Sequence, residues 1–391
     1  MKKIYIKKNI VKNLTGGHPW CFSGAILKKD NEISHGELVE IYSEDIFMGI
    51  GYYNKNTDIS LRIITRKKQS IDKDFFVSRF RELKREKETF IDNTNAYRLV
   101  FGENDNLPGL VIDLYDKIAV IQIHTIGMEK LKKLIVSALI EVIKPATVYE
   151  KSDIQVRTQE GLEKKVGNLL YGEEVKEVKI TENNFKFLIN IIEGQKTGFF
   201  LDQRLNRKAI IPYCKNKKIL NCFSYTGGFS VYAASVAKAV TSVDISKPSI
   251  EYAKKNFLLN GFEPNNHKFL AADVFEYLKK ITENEYDLII LDPPSFAKNR
   301  KHLKNAIKAY ITINSKALEK LPDYGILISS SCTTHVDEQT FIKILHQSAI
   351  NAGCQLKVLE SRVQPPDHPY NLAFPEGRYL KFFILQKYPI V

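Results

Sequence analysis

The chain reads as an α/β protein: a Rossmann-like, doubly wound sheet on its C-terminal half, preceded by an all-β segment and a small β-β-α-β-β domain. Three observations predict this. From Lys218 onward, short apolar strands alternate with amphipathic helices, the pattern of a parallel sheet with helices on both faces. Residues 1–70 instead carry short apolar alternations (Lys3–Ile6, Leu38–Tyr42, Ile59–Ile64) broken by turn signals such as Gly16-Gly17 and Asn54-Lys55-Asn56. Residues 97–180 hold a hairpin, a helix and two further strands. The domain limits are accordingly set at 1–72, 73–183 and 184–391.

In order along the chain, a helix is expected over Asp74–Phe90, with a charged face that reads as a solvated connector. Leu110–Leu114 and Ile118–His124 form the hairpin, Met128–Ile143 the helix, and Thr147–Lys151 and Lys165–Leu170 the following strands. Phe185–Ile192 is a strand leading into the large domain. There the expected strands are Lys218–Phe223, Ala239–Asp244, Lys268–Ala272, Leu288–Leu291 and Gly325–Ser330. Helices over Gly228–Val236, Pro248–Asn260, Val274–Lys280, His302–Leu321 and Glu338–Ala352 alternate with them. Gln355–Ser361 and Arg378–Gln386 have no helix between them and are expected to pair antiparallel at one edge.

At 391 residues the chain can bury more than one core, and 44% hydrophobic with 26% charged residues is a globular composition. No apolar run reaches membrane-spanning length, so no membrane partner is expected. The basic start Met1–Lys8 lacks an apolar signal core. The five cysteines are odd in number and form no CxxC pair, which argues against a disulfide framework or a zinc site and for a reducing cytoplasm; no metal is expected. The net charge of +13 is uneven: 13 Lys/Arg against 9 Asp/Glu in residues 1–75, 17 against 18 in 76–185, and 28 against 18 in 186–391. A positive field on two segments favours a polyanion, nucleic acid first, although a merely lysine-rich surface has the same count.

The most informative run is Asp292-Pro293-Pro294-Ser295-Phe296, which closes the apolar stretch Leu288–Leu291. It sets an acid at the carboxyl end of a buried strand, where ligands bind in open α/β sheets. The two prolines stiffen the turn. Two more acids end earlier strands, Asp244 in Val243-Asp244-Ile245-Ser246 and Asp273 in Ala272-Asp273-Val274. The first suits the hydroxyls of a ribose. The second suits an adenine amino group, with Val274 against the ring. Each acid alone is also what a helix cap uses. Strand one ends in Phe223-Ser224-Tyr225-Thr226-Gly227, small enough for close backbone approach, but it lacks the dinucleotide fingerprint. An anionic crevice of this kind repels phosphates and suits a cationic nucleoside such as S-adenosylmethionine. Upstream, Phe199 and Phe200 could wall the cofactor while Gln203 and Arg204 supply donors, or the segment simply packs at a helix start.

Strand five ends in Ser331-Cys332-Thr333. Carbon-5 of a pyrimidine is barely nucleophilic, and a thiolate adding at carbon-6 activates it. Cys332 stands on the loop across the same crevice mouth as Asp292, which could hold or protonate the pyrimidine N3. A free cysteine is more often a small buried hydrophobe, and Cys21, Cys214 and Cys354 keep that reading. Cys222 sits beside the cofactor loop, as a lining residue that does not react.

Taken together, Gly17–Ala25, Gly49–Asn54, Asn106–Asp113, Lys196–Arg204, Asn221–Gly227, Asp292–Phe296, Ser331-Cys332 and Asp367-His368-Pro369 resemble, nearly end to end, the class I S-adenosylmethionine-dependent 23S rRNA (cytosine-5) methyltransferases of the RlmI type. The resemblance implies an N-terminal PUA-like RNA-binding barrel, S-adenosylmethionine as cofactor, Cys332 as covalent nucleophile and Asp292 as its helper. It also implies rRNA or a pre-ribosomal particle as partner, and a homodimer. Many RNA cytosine-5 methyltransferases carry a second cysteine after strand four; Ser295 stands there, which leaves the base that removes the carbon-5 proton open between Asp292 and water. The target base must leave its stack to reach Cys332. Lys298, Arg300, Lys301 and Lys304, directly after the proline loop, are candidate phosphate grips, or an ordinary solvated helix start. His18 and Trp20 could stack on RNA, although a Trp in a β domain is more often core. Two other readings compete: guanine-N2 methylation without an adduct, disfavoured by Ser295 and Cys332, and a non-catalytic ribosome assembly factor, disfavoured by the retained acids.

Overall fold

The computed structural model describes residues 1–297 and 300–390. Two compact units emerge. The first comprises Met1–Thr181, Ile189–Leu201 and Pro366–Gly377; the second comprises Glu182–Leu188, Asp202–Pro365 and Arg378–Val391.

The first unit holds a six-stranded sheet in the spatial order Trp20–Phe22, Ile59–Thr65, Ile46–Tyr53, Glu37–Ser43, Lys2–Ile6, Ile26–Lys29. Its alternating inward residues, among them Ile4, Ile6, Val39, Ile41, Leu61 and Ile63, make one core. A short helix, Val11–Thr15, interrupts the otherwise β segment. A five-stranded sheet follows, in the order Lys165–Gly172, Thr147–Ser152, Ile118–Ile123, Leu110–Tyr115, Ala96–Phe101. The strand Ala96–Phe101 was not expected. It is buried on both faces apart from Arg98 and Phe101, so it shows no alternation to read.

The helix expected as a solvated connector spans Lys73–Glu88 and is not one. It buries Phe76, Val77, Phe80 and Leu83 in the core of the five-stranded sheet, and even Lys87 is fully buried. The charges on its other face hid an apolar stripe at helical spacing. Asp72 caps its start by accepting from the Phe75 N–H at 3.0 Å.

The second unit is a seven-stranded sheet with β1 (Lys218–Cys222), β2 (Ala239–Asp244), β3 (His267–Ala271), β4 (Leu288–Leu291), β5 (Ile326–Ser331), β6 (Cys354–Arg362) and β7 (Lys381–Pro389). The helices that alternate with or follow these strands are α1 (Gly228–Ala234), α2 (Lys247–Leu259), α3 (Val274–Lys280), α4 (Leu303–Lys320) and α5 (Glu338–Asn351). The spatial order is β3-β2-β1-β4-β5-β7-β6. β1 to β5 are mutually parallel, while β7 lies antiparallel to both β5 and β6. The expected edge hairpin is present, with its second strand inserted next to β5. β4 is wholly buried, as its unbroken apolar run requires between two helical layers. Strand order reverses between β1 and β4, which opens a crevice at their carboxyl ends. Among the described residues no helix is long and apolar enough to cross a membrane.

Candidate active site

β1 to β5 deliver their last residues to one edge of the sheet. After β1 the chain turns through Phe223, Tyr225 and Gly227, all with positive φ (58°, 47° and 81°). Left-handed backbone at two aromatic residues is strained and needs fixing from outside. Asp244, at the end of β2, supplies this. Its Oδ2 accepts the Tyr225 N–H at 2.9 Å, and its Oδ1 accepts the Ser246 N–H at 2.9 Å. Ser246 in turn caps α2 through the Ser249 N–H. Gly227 cannot be replaced cheaply, because a Cβ there would stand 3.0 Å from that of Ala253. In this loop Ser224 Oγ and Thr226 Oγ1 are buried without a hydrogen-bond partner among the described residues. Orphaned buried hydroxyls are rare, so a polar ligand has donors and acceptors to meet here.

Ile245 stands 73% exposed beside Asp244, a large apolar side chain offered at the strand end. Asp273 is exposed at the end of β3, and its Oδ1 caps α3 by accepting the Glu276 N–H at 3.0 Å. Val274 is buried in the core of the sheet. Of the three acids, Asp273 is thus the one seen in the ordinary helix-capping role.

Asp292 sits in a polar chain. Gln203 Nε2 donates to its Oδ1 at 3.0 Å, and Ser330 Oγ donates to the same oxygen. Gln203 is itself oriented: its Oε1 accepts from Asn206 Nδ2 at 2.7 Å, which fixes the amide so that nitrogen faces the acid. Asn206 Oδ1 meets Arg362 Nε at 3.3 Å. Gln203 and Arg204 are both buried at the start of a short helix. Pro293 is buried and Pro294 exposed.

The loops after β4 and β5 are tied together. Ser295 Oγ lies 3.1 Å from Thr333 Oγ1, and the Phe296 ring packs on Tyr310 at 4.8 Å. Tyr310, from α4, receives a hydrogen bond from Ser331 Oγ at 3.0 Å and shares one with Thr333 Oγ1 at 2.8 Å. Ser331 and Thr333 are fully buried on that side. Cys332, between them, is partly exposed. The other four cysteines are buried. Burial pushes the Cys21 and Cys214 thiols up to about 12 and raises those of Cys222 and Cys354 as well. Cys332 is the thiol set apart. Lys381, in register with Ser331 on β7, donates its Nζ to the Thr333 carbonyl at 2.8 Å and to the Tyr379 carbonyl at 2.7 Å.

The second unit thus brings together Gln203, Asp292, Ser330, Ser295, Tyr310, Thr333 and Lys381 around the Cys332 loop, and a second group around Ser224 to Gly227 and Asp244. Phe199 belongs to the first unit, where it is buried and its N–H bonds Tyr115 Oη at 3.1 Å. Lys301 and Lys304 are exposed at the entry to α4, and Arg300 opens the 3-10 turn before it; Lys298 lies outside the described residues. Trp20 is half-buried, edge-on to Phe374 at 4.7 Å with its Nε1–H on Glu103 at 3.0 Å, which is a packing role. Sequence reasoning missed Ser330, Asn206, Tyr310 and Lys381. Only Lys381 left a signal, a lone cation in the apolar run Leu380–Leu385.

Residues 153–373 match the family model of S-adenosylmethionine-dependent methyltransferases, and residues 4–66 match a PUA-like domain. The chain is 41% identical over 389 residues to ribosomal RNA large subunit methyltransferase I of Vibrio parahaemolyticus, covering 97% of this chain and 98% of that one. It is 40% identical over 388 residues to the protein of the same name in Aliivibrio fischeri, with the same coverage. A solved chain described as a methyltransferase complexed with SAH superposes with a TM-score of 0.85 at 30% identity, over 99% of this chain and all of that one.

Proposed function

The chain belongs to the S-adenosylmethionine-dependent methyltransferases, in the family whose members are named ribosomal RNA large subunit methyltransferase I, and from that premise we propose that it methylates carbon-5 of a cytosine in large-subunit rRNA through a covalent adduct on Cys332. The observation that carries this reading is the geometry of the Cys332 loop: one partly exposed thiol, with the hydroxyls on either side of it buried against Tyr310 and its loop linked to the Asp292 loop through Ser295 and Thr333.

The residues around β1 and β2 fit the cofactor. Ser224 and Thr226 have unmet hydrogen-bonding capacity, and Gly227 leaves room for close approach. Asp244 spends one lone pair of each oxygen on backbone and keeps others for ribose hydroxyls. Ile245, exposed at the end of β2, offers an apolar face to the adenosine, while Asp273 is engaged as the cap of α3. When bound, S-adenosylmethionine supplies an electrophilic methyl group. Carbon-5 becomes reactive only after Cys332 adds to carbon-6, forming the S–C6 bond and moving the C5–C6 π pair onto carbon-5. Asp292 stabilises the developing charge by sharing a proton with N3. The methylated adduct then loses its carbon-5 proton to Asp292 or water, the pair re-forms the double bond, and the thiolate leaves. Gln203 and Ser330 keep Asp292 aimed. Lys301 and Lys304, with the basic N-terminal domain, grip phosphates, so affinity falls as salt rises.

The test is RNA carrying 5-fluorocytosine at the target, which blocks the last proton loss. Wild type plus cofactor should give a denaturation-resistant adduct, absent in Cys332→Ala. A Cys332→Ala enzyme that methylates at the wild-type rate overturns the covalent route and favours exocyclic-amine chemistry.

A further inference from the structure

We propose that Lys381 is a positioning residue for Cys332, whose ammonium ion anchors the thiol's loop and stabilises the thiolate form for attack; this rests on the reading of Cys332 as nucleophile.

Lys381 is out of place by composition. It stands in β7 within Leu380–Leu385, a run whose every member is buried, and is itself only 5% exposed. Burying an ammonium is costly unless it is paired. Among the described residues no carboxylate lies within ion-pair distance of it; its two direct partners are the carbonyls of Thr333 and Tyr379. Thr333 directly follows Cys332, so one of these bonds fixes the backbone beside the thiol. Ser331, directly before it, is fixed by the ladder pairing with Lys381 and by Tyr310. The cation therefore holds the backbone of the loop that presents Cys332.

The charges facing this ammonium are few. Burial pulls Lys381 down to about 8, the thiolate of Cys332 is the strongest charge favouring its protonation, and Asp337 and Glu338 at the start of α5 add to that. Arg378, paired to Glu338, opposes. On the other side Tyr310 feels the same thiolate, and its hydroxyl is raised first by burial and then by Cys332, so it stays neutral. At neutral pH the ammonium is intact. A cation beside a thiol lowers the thiol's pKa and enlarges the thiolate fraction. The Cys332 proton goes to solvent, the thiolate pair forms the S–C6 bond, and Lys381 exchanges no proton in the cycle.

The experiment follows alkylation of Cys332 in the full chain by iodoacetamide against pH, read by peptide mass, alongside the 5-fluorocytosine adduct assay. In wild type the midpoint should lie below the ordinary thiol value of about 8.5. Lys381→Met should raise it by about one pH unit, making alkylation near neutral pH roughly tenfold slower, and Lys381→Arg should restore most of the rate. Lys151→Met, which removes another buried lysine, should leave Cys332 unchanged. A folded Lys381→Met protein with the wild-type midpoint overturns the proposal. If that variant does not fold, a wild-type midpoint at or above about 8.5 overturns it instead. A wild type that forms no RNA adduct overturns the nucleophile reading and this proposal with it; an adduct that forms with an unmoved midpoint overturns this proposal alone.

Discussion

Two buried lysines, one in each unit, show what separates a charge that builds the fold from a charge that serves chemistry. In the first unit Lys87 is fully buried, and its Nζ lies 3.0 Å from both oxygens of Asp105 and 3.3 Å from the Asp367 carbonyl. In the second unit Lys381 has only carbonyl dipoles as direct partners, with a thiol nearby. The pattern extends beyond the pair. Arg62 with Glu160 is a second closed buried pair in the first unit, and there half-buried Arg98 and Glu129 close on the buried Asp113 and Arg157. Around the strand ends of the second unit, buried hydroxyls on Ser224 and Thr226 are left unmatched. In these cases the closed pairs serve folding, and the unmatched groups beside Cys332 and the cofactor loop face a reaction or a ligand.

The largest expected effect tests the closed side. Lys87→Met leaves the Asp105 carboxylate buried with the Phe101 N–H and without its cation. Breaking such a pair from one side destabilises by about 3–5 kcal/mol. Urea unfolding of the variant should show that loss, and Lys87→Met with Asp105→Leu should recover part of it. A single-variant loss under about 1 kcal/mol would put Lys87 with the exposed pairs and break the comparison.

The next effect tests the open side through two acids that look alike in sequence. Asp244→Ala removes the carboxylate that orders Tyr225 and Ser246, so S-adenosylmethionine affinity should fall by about 1.5–3 kcal/mol of binding energy, the range for hydrogen bonds to a charged group. Asp273→Ala removes a cap and should lower stability by about 1 kcal/mol. Titration calorimetry and thermal unfolding of both variants separate the roles. Unchanged affinity in Asp244→Ala would count against the assigned pocket.

Much of this second unit was legible from local pattern. Strands buried on both faces leave unbroken apolar runs, so Leu288–Leu291 and the acid after it announce themselves. Cys332 was legible as a residue, but not as the partly exposed thiol among five. That distinction comes from Ser331 and Thr333 turning to Tyr310, a contact made by a helix elsewhere in the chain. Ser330 and Asn206 were invisible for the same reason, since their meaning lies in Asp292 and Gln203 across the fold. Lys73–Glu88 misled because its charges outnumber its apolar stripe, and Ala96–Phe101 because burial on both faces erases alternation. Periodicity reports which face is wet; it does not report which distant group a polar atom will meet.

The smallest effect lies in the pH dependence of stability and concerns Lys151, which sits between the two cases. It is buried in the first unit, donates to the carbonyls of Ile191 and Gly194, and is pulled down to about 8, chiefly by burial. Unfolded, it keeps its proton to about 10.4. Between those values the unfolded chain binds more protons than the folded one, so this lysine's contribution to stability rises with pH. Its burial penalty is fully present below about 8 and is relieved as pH climbs through the window. Lys381 acts with the same sign over the same range. Buried tyrosines such as Tyr52, Tyr97 and Tyr115 have raised values and act with the opposite sign, but only as unfolded tyrosine ionises near pH 10. Subtracting the Lys151→Met unfolding free energy from that of wild type at each pH removes the tyrosines and Lys381 together. The difference should climb in favour of wild type from pH 8 to 10. A flat difference would mean that Lys151 is as well compensated as Lys87, and that bare carbonyls suffice to close a buried charge.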